Sequence, residues 1–328
     1  MNIRKIAEIV GMSHMTVSRA LNNSPLVAAK TRDRVLEVAR SLGYQINAGA
    51  RGLATGLTMT VGILYPYHRL REVESWYTSQ LMHDIRSALW DNGFDTMIAG
   101  YETVRDDLSD ITRLVAQRKV DALILIGYEI TEESLAAVAA ITPRYLAVNP
   151  PQAPWMAEHR GIFIDQEHGG ALAAKTLLAA GRSGISVVLE SKPLFDTRYA
   201  GFSRAFGGDP VTFLVEDGRF ETAYRLAEQN AEELCRSDGI FVGSDVTALG
   251  VMSALLDQGV KVPDQVGIVG FDDIEWARYS RPRLTTVHQP RREVAAAAAG
   301  RIAELVRDDM SGPRTDVFAP RMVMRESC

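Results

Sequence analysis

Cysteine is scarce: only Cys235 and Cys328 occur in 328 residues. Two thiols cannot build a disulfide framework or a metal–thiolate cluster, which fits a reducing cytoplasm. Long apolar runs are missing as well. No stretch approaches the ~18 consecutive apolar residues of a membrane span. The N-terminus, MNIRKIAEIVGMSHM, has polar residues scattered through it rather than the unbroken apolar core of a signal peptide. A cytoplasmic protein with no membrane partner is expected. Catalytic signatures are also lacking: there is no Walker loop, Gly-x-Ser-x-Gly, His-Glu-x-x-His or Cys-x-x-Cys. The histidines, at positions 14, 68, 83, 159, 168 and 288, have no ligand spacing. Neither an enzymatic activity nor a metal or cofactor is expected.

Positive charge is not in excess, with 36 Lys and Arg against 41 Asp and Glu and a net charge of -5. That balance conceals a division. Residues 1–58 hold eight basic side chains (Arg4, Lys5, Arg19, Lys30, Arg32, Arg34, Arg40 and Arg51) against Glu8, Asp33 and Glu37, a net of +5, which leaves -10 on the rest. A small basic head on a large acidic body suggests a polyanion binder joined to something that is not one, with the acidity keeping the body off the polyanion.

After residue 58, short β-rich apolar runs alternate with helical stretches. The runs are 60–65, 96–100, 122–126, 145–148, 162–165, 185–189, 211–215, 240–243 and 266–271. Near-continuous apolar strands separated by helices indicate parallel sheets covered on both faces. Nine strands are many for one open sheet, and the Pro-rich NPPQAP at 149–154 divides them into two doubly wound parallel-sheet α/β lobes. Ligands of such folds bind beyond the carboxyl ends of the strands, so two facing lobes make a cleft.

Residues 3–22 predict two short helices joined by a tight turn. Ile3, Ile6, Ala7 and Val10 share one face, Gly11 ends the first helix, and Ser13 caps a second that buries Val17 and Leu21. This is the spacing of a DNA-binding helix-turn-helix, whose second helix presents its N-terminal side chains to the major groove. Here those are His14, Met15, Ser18 and Arg19. A structural helical hairpin is the alternative, and for Met15 alone a core filler.

The segments TVSRALN (16–22), Val27, TRDRV (31–35), LGYQIN (42–47) and ARGL (50–53) closely resemble the DNA-binding head and hinge of the lactose-repressor/purine-repressor (LacI/GalR) family. The resemblance continues through VGILYP (61–66), DTRYAGF (196–202), VPDQVGIVGFDD (262–273) and PRLTTVHQP (282–290), so it spans essentially the whole chain. It implies a helix-turn-helix domain over 1–46, a hinge helix over 47–58 and a type I periplasmic-binding-protein-like core over 59–328. Lobe 1 would hold about 59–158 and 291–316, and lobe 2 about 159–288 and 317–328. It implies a homodimer on a palindromic double-stranded operator, with a small-molecule effector in the cleft. No heptad tail follows VFAPRMVMR (317–325), which favours a dimer over a tetramer.

Carried over by position, the resemblance makes His14 and Met15 the specificity-setting pair. Arg19, Thr16 and Ser18 become groove and phosphate contacts, and Asn22 and Thr31 further backbone anchors. Leu53 matches a leucine that wedges into the minor groove at the operator centre. The hinge departs from the family pattern: Ile46 replaces a proline, and Gly49, Gly52 and Gly56 dilute it. Each interior glycine costs a helix about 1 kcal/mol relative to alanine, so the hinge is expected to fold only on the operator.

In the body, Asp272 and Asp273 end the strand VGIVGF at the cleft. Such a pair could ligate Mg²⁺, accept sugar hydroxyls or cap a helix; the resemblance makes Asp272 a ligand acceptor and Asp273 a structural cap. Arg198 matches an arginine that holds a ligand hydroxyl or carboxylate, against the alternative of a surface salt bridge. Phe220 falls where relatives present an aromatic face to a sugar, and Ser244 where they usually have asparagine. Val148 stands where many sugar-binding members carry aspartate. Gln289 lies at a crossover and can reach the cleft. Trp76 and Tyr77 line the cleft as stacking platforms or form the buried start of a helix; His68, Arg69 and Arg71 belong to a solvated loop, with contact to an anionic ligand as the alternative. Arg, Asp, Ser and aromatics together suit a sugar or sugar derivative better than a purine or carboxylate. The expectation is therefore a DNA-binding repressor. A solute-binding transport component would need a signal peptide and not the basic head, and a sugar-modifying enzyme would need a catalytic constellation.

Overall fold

The computed structural model describes residues 3–21, 26–44, 56–66, 76–101, 108–191, 193–307 and 312–328. Asn22, Leu53, Ile46, Gly49, Gly52, His68, Arg69 and Arg71, and residues 47–55 of the expected hinge, lie outside them.

Three helices make the head: α1 (Ile3–Val10), α2 (His14–Leu21) and α3 (Ala29–Ser41). α1 stops at Gly11, whose φ of +68 only glycine adopts without strain. α2 starts where Ser13 Oγ accepts a hydrogen bond from the Thr16 N–H at 3.1 Å. Ile6, Val10, Val17, Ala20, Leu21 and Val27 close a core against Val35 and Ala39 of α3. The expected helix pair is thus part of a three-helix unit. Two eight-residue helices cannot hold themselves in water, and the third supplies the missing buried face.

The body contains two six-stranded sheets. β1 (Thr60–Pro66), β2 (Asp95–Tyr101), β3 (Ala122–Ile126), β4 (Tyr145–Val148), β5 (Arg160–Ile164) and β11 (Arg314–Phe318) form the first, in the order β11-β5-β4-β3-β1-β2 and wholly parallel. β6 (Ile185–Glu190), β7 (Val211–Val215), β8 (Gly239–Val242), β9 (Gly267–Asp272), β10 (Thr285–His288) and β12 (Arg321–Val323) form the second, in the order β12-β10-β9-β8-β6-β7. Only β10 and β12 pair antiparallel. Helices α4 (Trp76–Asp91), α5 (Ser109–Ala116), α6 (Glu132–Ile141) and α12 (Arg291–Val306) belong to the first lobe. The second carries α7 (Gln166–Ala179), α8 (Pro193–Phe206), α9 (Phe220–Gln229), α10 (Ala231–Leu234) and α11 (Asp245–Asp257). β3, β4, β6, β8 and β9 are buried along their whole length, as strands covered on both faces must be.

Strand pairing moves the lobe boundaries. β5 pairs with β4 and β11, so lobe 1 runs to Ile164 rather than to 158, and on its return to Phe318 rather than to 316. The Pro-rich stretch is no divider; it leads into a 3-10 turn, Pro154–Glu158, that joins β4 to β5 within lobe 1. Proline marks a loop without saying whether the loop stays within a lobe. VFAPRMVMR is likewise not one strand: Ala319 and Pro320 separate β11 from β12, in different sheets. The chain therefore passes between lobes three times, after Ile164, after His288 and after Phe318.

One helix contact sets the cleft geometry. A Cβ on Gly170 of α7 would lie 1.9 Å from the Arg198 carbonyl oxygen, and one on Gly201 of α8 would lie 1.9 Å from the Glu167 carbonyl oxygen. The two backbones touch, which brings Gln166 and Arg198 side by side.

Candidate effector cleft and DNA-binding face

The carboxyl ends of the strands face a cavity between the lobes, of about 1020 Å³ counted out to its solvent-open mouth. Six of the seven expected effector residues line it: Trp76, Tyr77, Arg198, Ser244, Asp272 and Gln289. Trp76 is 44% exposed and meets Trp276 of lobe 2 edge-to-face, ring centroids 6.0 Å apart, so two indoles bridge the lobes. Tyr77 is the second residue of α4, and its hydroxyl receives a hydrogen bond from Asn149 Nδ2 at 3.4 Å. Burial pushes the Tyr77 phenol up, so it stays protonated.

Phe220 is the exception. It opens α9, is 41% exposed, and stacks its ring on Tyr224 one turn later, centroids 6.4 Å apart. Asp217 and Gly218, just before it, take the place at the cavity wall. The helix begins at Phe220 itself, and the ring packs along the helix face rather than toward the cleft.

Arg198 is no surface salt bridge: it is 3% exposed. Its Nε donates to Gln166 Oε1 at 2.8 Å, one terminal nitrogen donates to the Gly243 carbonyl, and the other lies 3.6 Å from Asp272 Oδ1. The guanidinium sits 3.7 Å from the Phe271 ring centroid. Burial lowers its pKa, and Asp272 partly restores it. Asp272 is buried at φ +118, a conformation L-residues rarely adopt, which is strain held at the cleft. Burial raises its carboxyl to about 6, with Arg198 and the hydrogen bond from Gln289 limiting the rise. Gln289 Nε2 donates to Asp272 Oδ1 at 2.7 Å, and its Oε1 accepts from Gln166 Nε2 at 3.1 Å. Arg198, Gln166, Gln289 and Asp272 thus form a closed ring.

Asp273 does not cap a helix. It gathers basic side chains: His288 Nδ1 hydrogen-bonded at 2.9 Å, Arg325 in a hydrogen-bonded ion pair, and Arg278 at 3.7 Å. Burial opposes its ionisation, but the hydrogen bonds from His288 and Arg325 outweigh that and bring it down to about 2. Asp245 lies deeper, accepting from Thr286 Oγ1 at 2.6 Å and the Ile274 N–H at 2.9 Å, and burial pushes its carboxyl well up. Ser244 Oγ donates to Thr247 Oγ1 at 2.8 Å.

The sequence reading missed Asn149, Gln166, Glu190 and Asp217, all at the cavity. Glu190 ends β6 and Asn149 follows β4, so the strand-end rule points to both. Val148 is fully buried in the core, and Asn149, at φ +54, is the residue that turns into the cavity. Among the described residues, no three His, Cys, Asp or Glu side chains are grouped to hold a metal, and no helix is long and apolar enough to cross a membrane.

On the head, His14, Met15 and Arg19 are exposed on α2, with Met15 at 62%. Thr16 and Ser18 are half-buried, and Thr16 Oγ1 bonds Ser13 Oγ at 2.9 Å. Thr31 is half-buried in the first turn of α3. Met15 is therefore not a core filler.

Comparison with known proteins follows the same division. The family described as "Bacterial regulatory proteins, lacI family" matches residues 2–47, and "Periplasmic binding protein-like domain" matches 174–328. The chain belongs to the LacI/GalR family of regulators. It is 29% identical to the HTH-type transcriptional repressor PurR of Vibrio parahaemolyticus, over 99% of this chain and 98% of that one. The fold is that of a lac repressor dimer bound to operator and the anti-inducer ONPF (TM-score 0.77, 24% identity, 100% of this chain and 98% of that one). It is also that of a transcriptional regulator CelR–cellobiose complex (TM-score 0.72, 21% identity, 100% of both chains). A helix-turn-helix head in front of a periplasmic-binding-protein-like body is the architecture of this family's repressors, which are not enzymes.

Proposed function

We propose that the chain is a dimeric transcriptional repressor that binds a palindromic operator through two heads and is controlled by a sugar or sugar derivative in the interlobe cleft. The observation that carries this is the union, in one chain, of a basic head exposing His14, Met15 and Arg19 with a cavity rich in acceptors. The cavity wall offers Asp272, Asp217 and Glu190 but a single guanidinium, and three nitrogens of Arg198 already face protein partners. Such a site favours a neutral ligand bearing many hydroxyl donors over an anion. Trp76, Phe195 and Tyr77 supply the apolar faces that sugar rings stack upon. A cellobiose-bound relative in fold agrees with that choice, and a purine is the alternative ligand to beat.

Dimerisation is supported by the sheet edges. β2 and β7 end their sheets at corresponding positions, and they expose Met97, Ile98, Val211 and Leu214. Trp90 (70% exposed) adds to the β2 side. Exposed apolar edge strands on a soluble body call for cover.

The test has two stages. Fluorescence anisotropy with a duplex selected by the protein from a random-sequence library should show tight binding with a steep negative salt slope. Thermal-shift screening against sugars, sugar phosphates and nucleobases should then yield a sugar that raises Tm and changes operator affinity. Failure to enrich any duplex refutes the DNA reading; a nucleobase as the sole hit refutes the sugar.

A further inference from the structure

Six helix ends among the described residues close in the same way. The residue after the last turn takes a left-handed φ, its N–H bonds three residues back, and the next N–H bonds five residues back. Five use glycine: Gly11, Gly43, Gly93, Gly181 and Gly259. The sixth, after α5, uses Arg118 at φ +50, with its N–H on Val115 O at 2.9 Å and the Lys119 N–H on Leu114 O at 2.9 Å. A side chain there strains the backbone where glycine would not. Strain kept at one of six equivalent positions points to a use for the side chain.

The location says what use. Parallel pairing puts the first residues of β1, β3, β4 and β5 on one edge of the lobe 1 sheet, opposite the cleft. The hinge enters the body at this edge. Both oxygens of Asp121 clamp its last residues, accepting from the Thr58 N–H at 2.9 Å and the Met59 N–H at 2.6 Å, and Thr58 Oγ1 donates to the Lys119 carbonyl at 3.5 Å. Arg118 and Lys119 are exposed beside that entry, and neither side chain makes an ion pair among the described residues. Arg144 and Arg160, at the starts of β4 and β5, extend the row. Carboxylates are present too. Asp121 is engaged by the hinge backbone, Glu158 lies beyond Arg160, and Asp91 and Asp95 are on the other, β2 side. The cations are thus gathered on one side of the hinge of a body that is otherwise strongly acidic.

We propose that this rim of lobe 1, led by Arg118 and Lys119, is a second DNA contact, taking the phosphate backbone beside the hinge. The proposal rests on the operator-binding reading above and revises the expectation that acidity keeps the whole body off DNA. The head chooses the sequence, and the rim adds a sequence-independent, salt-sensitive attraction that engages only when the hinge brings the body down onto the duplex.

Arg118→Gly separates this role from a structural one, because glycine suits the left-handed position. The variant should keep or raise Tm. On a duplex selected by the wild-type protein it should bind several-fold more weakly, with the log–log salt slope reduced by about two for a dimer, roughly 0.9 per phosphate contact. Arg118→Lys should keep the wild-type slope, Lys119→Gln should lower it further in the double variant, and Arg204→Gln, remote from the rim, should leave it unchanged. An Arg118→Gly protein with wild-type affinity and slope overturns the proposal. So does weaker binding at unchanged slope, since Arg118 would then act on the hinge and not on phosphate. If the wild-type protein selects no duplex, the operator reading itself fails, an outcome distinct from either.

Discussion

The contact between α7 and α8 makes Gly170→Ala, like Gly201→Ala, a severely demanding change in the body. A Cβ at Gly170 would meet the Arg198 carbonyl oxygen at 1.9 Å, where ordinary contact begins near 3.4 Å. The obstacle is backbone, so no rotamer relieves it, and the helices must separate by about 1.5 Å. A gap of 0.5–1 Å already forfeits about a quarter to a half of each dispersion contact across it. Overpacking typically costs 1–3 kcal/mol, and a clash between two backbones belongs at or above the top of that range. We expect a loss of about 3 kcal/mol, read as a fall in the urea midpoint of roughly 1 M. Gly300→Ala on α12 is the matched control, because a Cβ there meets nothing within 4 Å. It should gain about 0.5–1 kcal/mol from helix propensity and a stiffer unfolded chain. The clash also moves Arg198 and Gln166 apart, so ligand affinity should fall along with stability. If Gly170→Ala has the midpoint of wild type or of Gly300→Ala, the inferred backbone contact is wrong.

Two further expectations concern the paired carboxylates. Asp273→Asn should destabilise by about 3 kcal/mol at neutral pH, because it strips a buried anion from His288 and Arg325. Asparagine tolerates the left-handed φ of +54, so the change isolates charge. Since the folded protein holds Asp273 down near 2, its contribution is present above about 4 and lost as pH falls toward 2. The wild-type advantage in denaturant unfolding should therefore shrink on acidification, and an advantage undiminished at pH 2 would contradict the ion-pair origin. Asp272 has the opposite sign. With its carboxyl raised to about 6, its contribution to stability is full below about 4 and lost as pH rises through 6. A hydroxyl-bearing ligand prefers the ionised acceptor, so calorimetric affinity should be level above about pH 7 and weaken below 6, with proton release on binding; tightening on acidification would rule out Asp272 as the acceptor.

Periodicity and strand ends made much of this molecule legible in the sequence. Nine apolar runs became nine strands, and a residue at or just past a carboxyl end was a good candidate for the cleft, as Ser244 and Asp272 show. What escaped depends on backbone direction within one or two residues. Val148 and Asn149 are neighbours, but only a left-handed turn at Asn149 decides which faces the cavity. Phe220 was placed two residues too far, because where α9 starts determines whether the ring or Asp217 and Gly218 reach the wall. The lobe boundary escaped for another reason. β5 and β11 lie about 150 residues apart in the chain, and no local pattern reports that they pair.

The ring of Arg198, Gln166, Gln289 and Asp272 joins the cavity wall to the paths between lobes. Gln166 follows the first crossover and Gln289 lies in the second. Its hydrogen bonds run in one direction: Arg198 donates to Gln166, Gln166 to Gln289, and Gln289 to Asp272. Reversing Gln166 would set its NH₂ against the arginine, and reversing Gln289 would set its carbonyl against the carboxylate, so neither amide can turn alone. A ligand that draws Arg198 or Asp272 toward itself must carry both glutamines along or leave a buried polar group unpaired, a cost of about 1–3 kcal/mol. Two of the three interlobe crossovers are therefore hydrogen-bonded into the cavity wall. The contact of Trp76 with Trp276 is a further link that bears on the angle between the lobes.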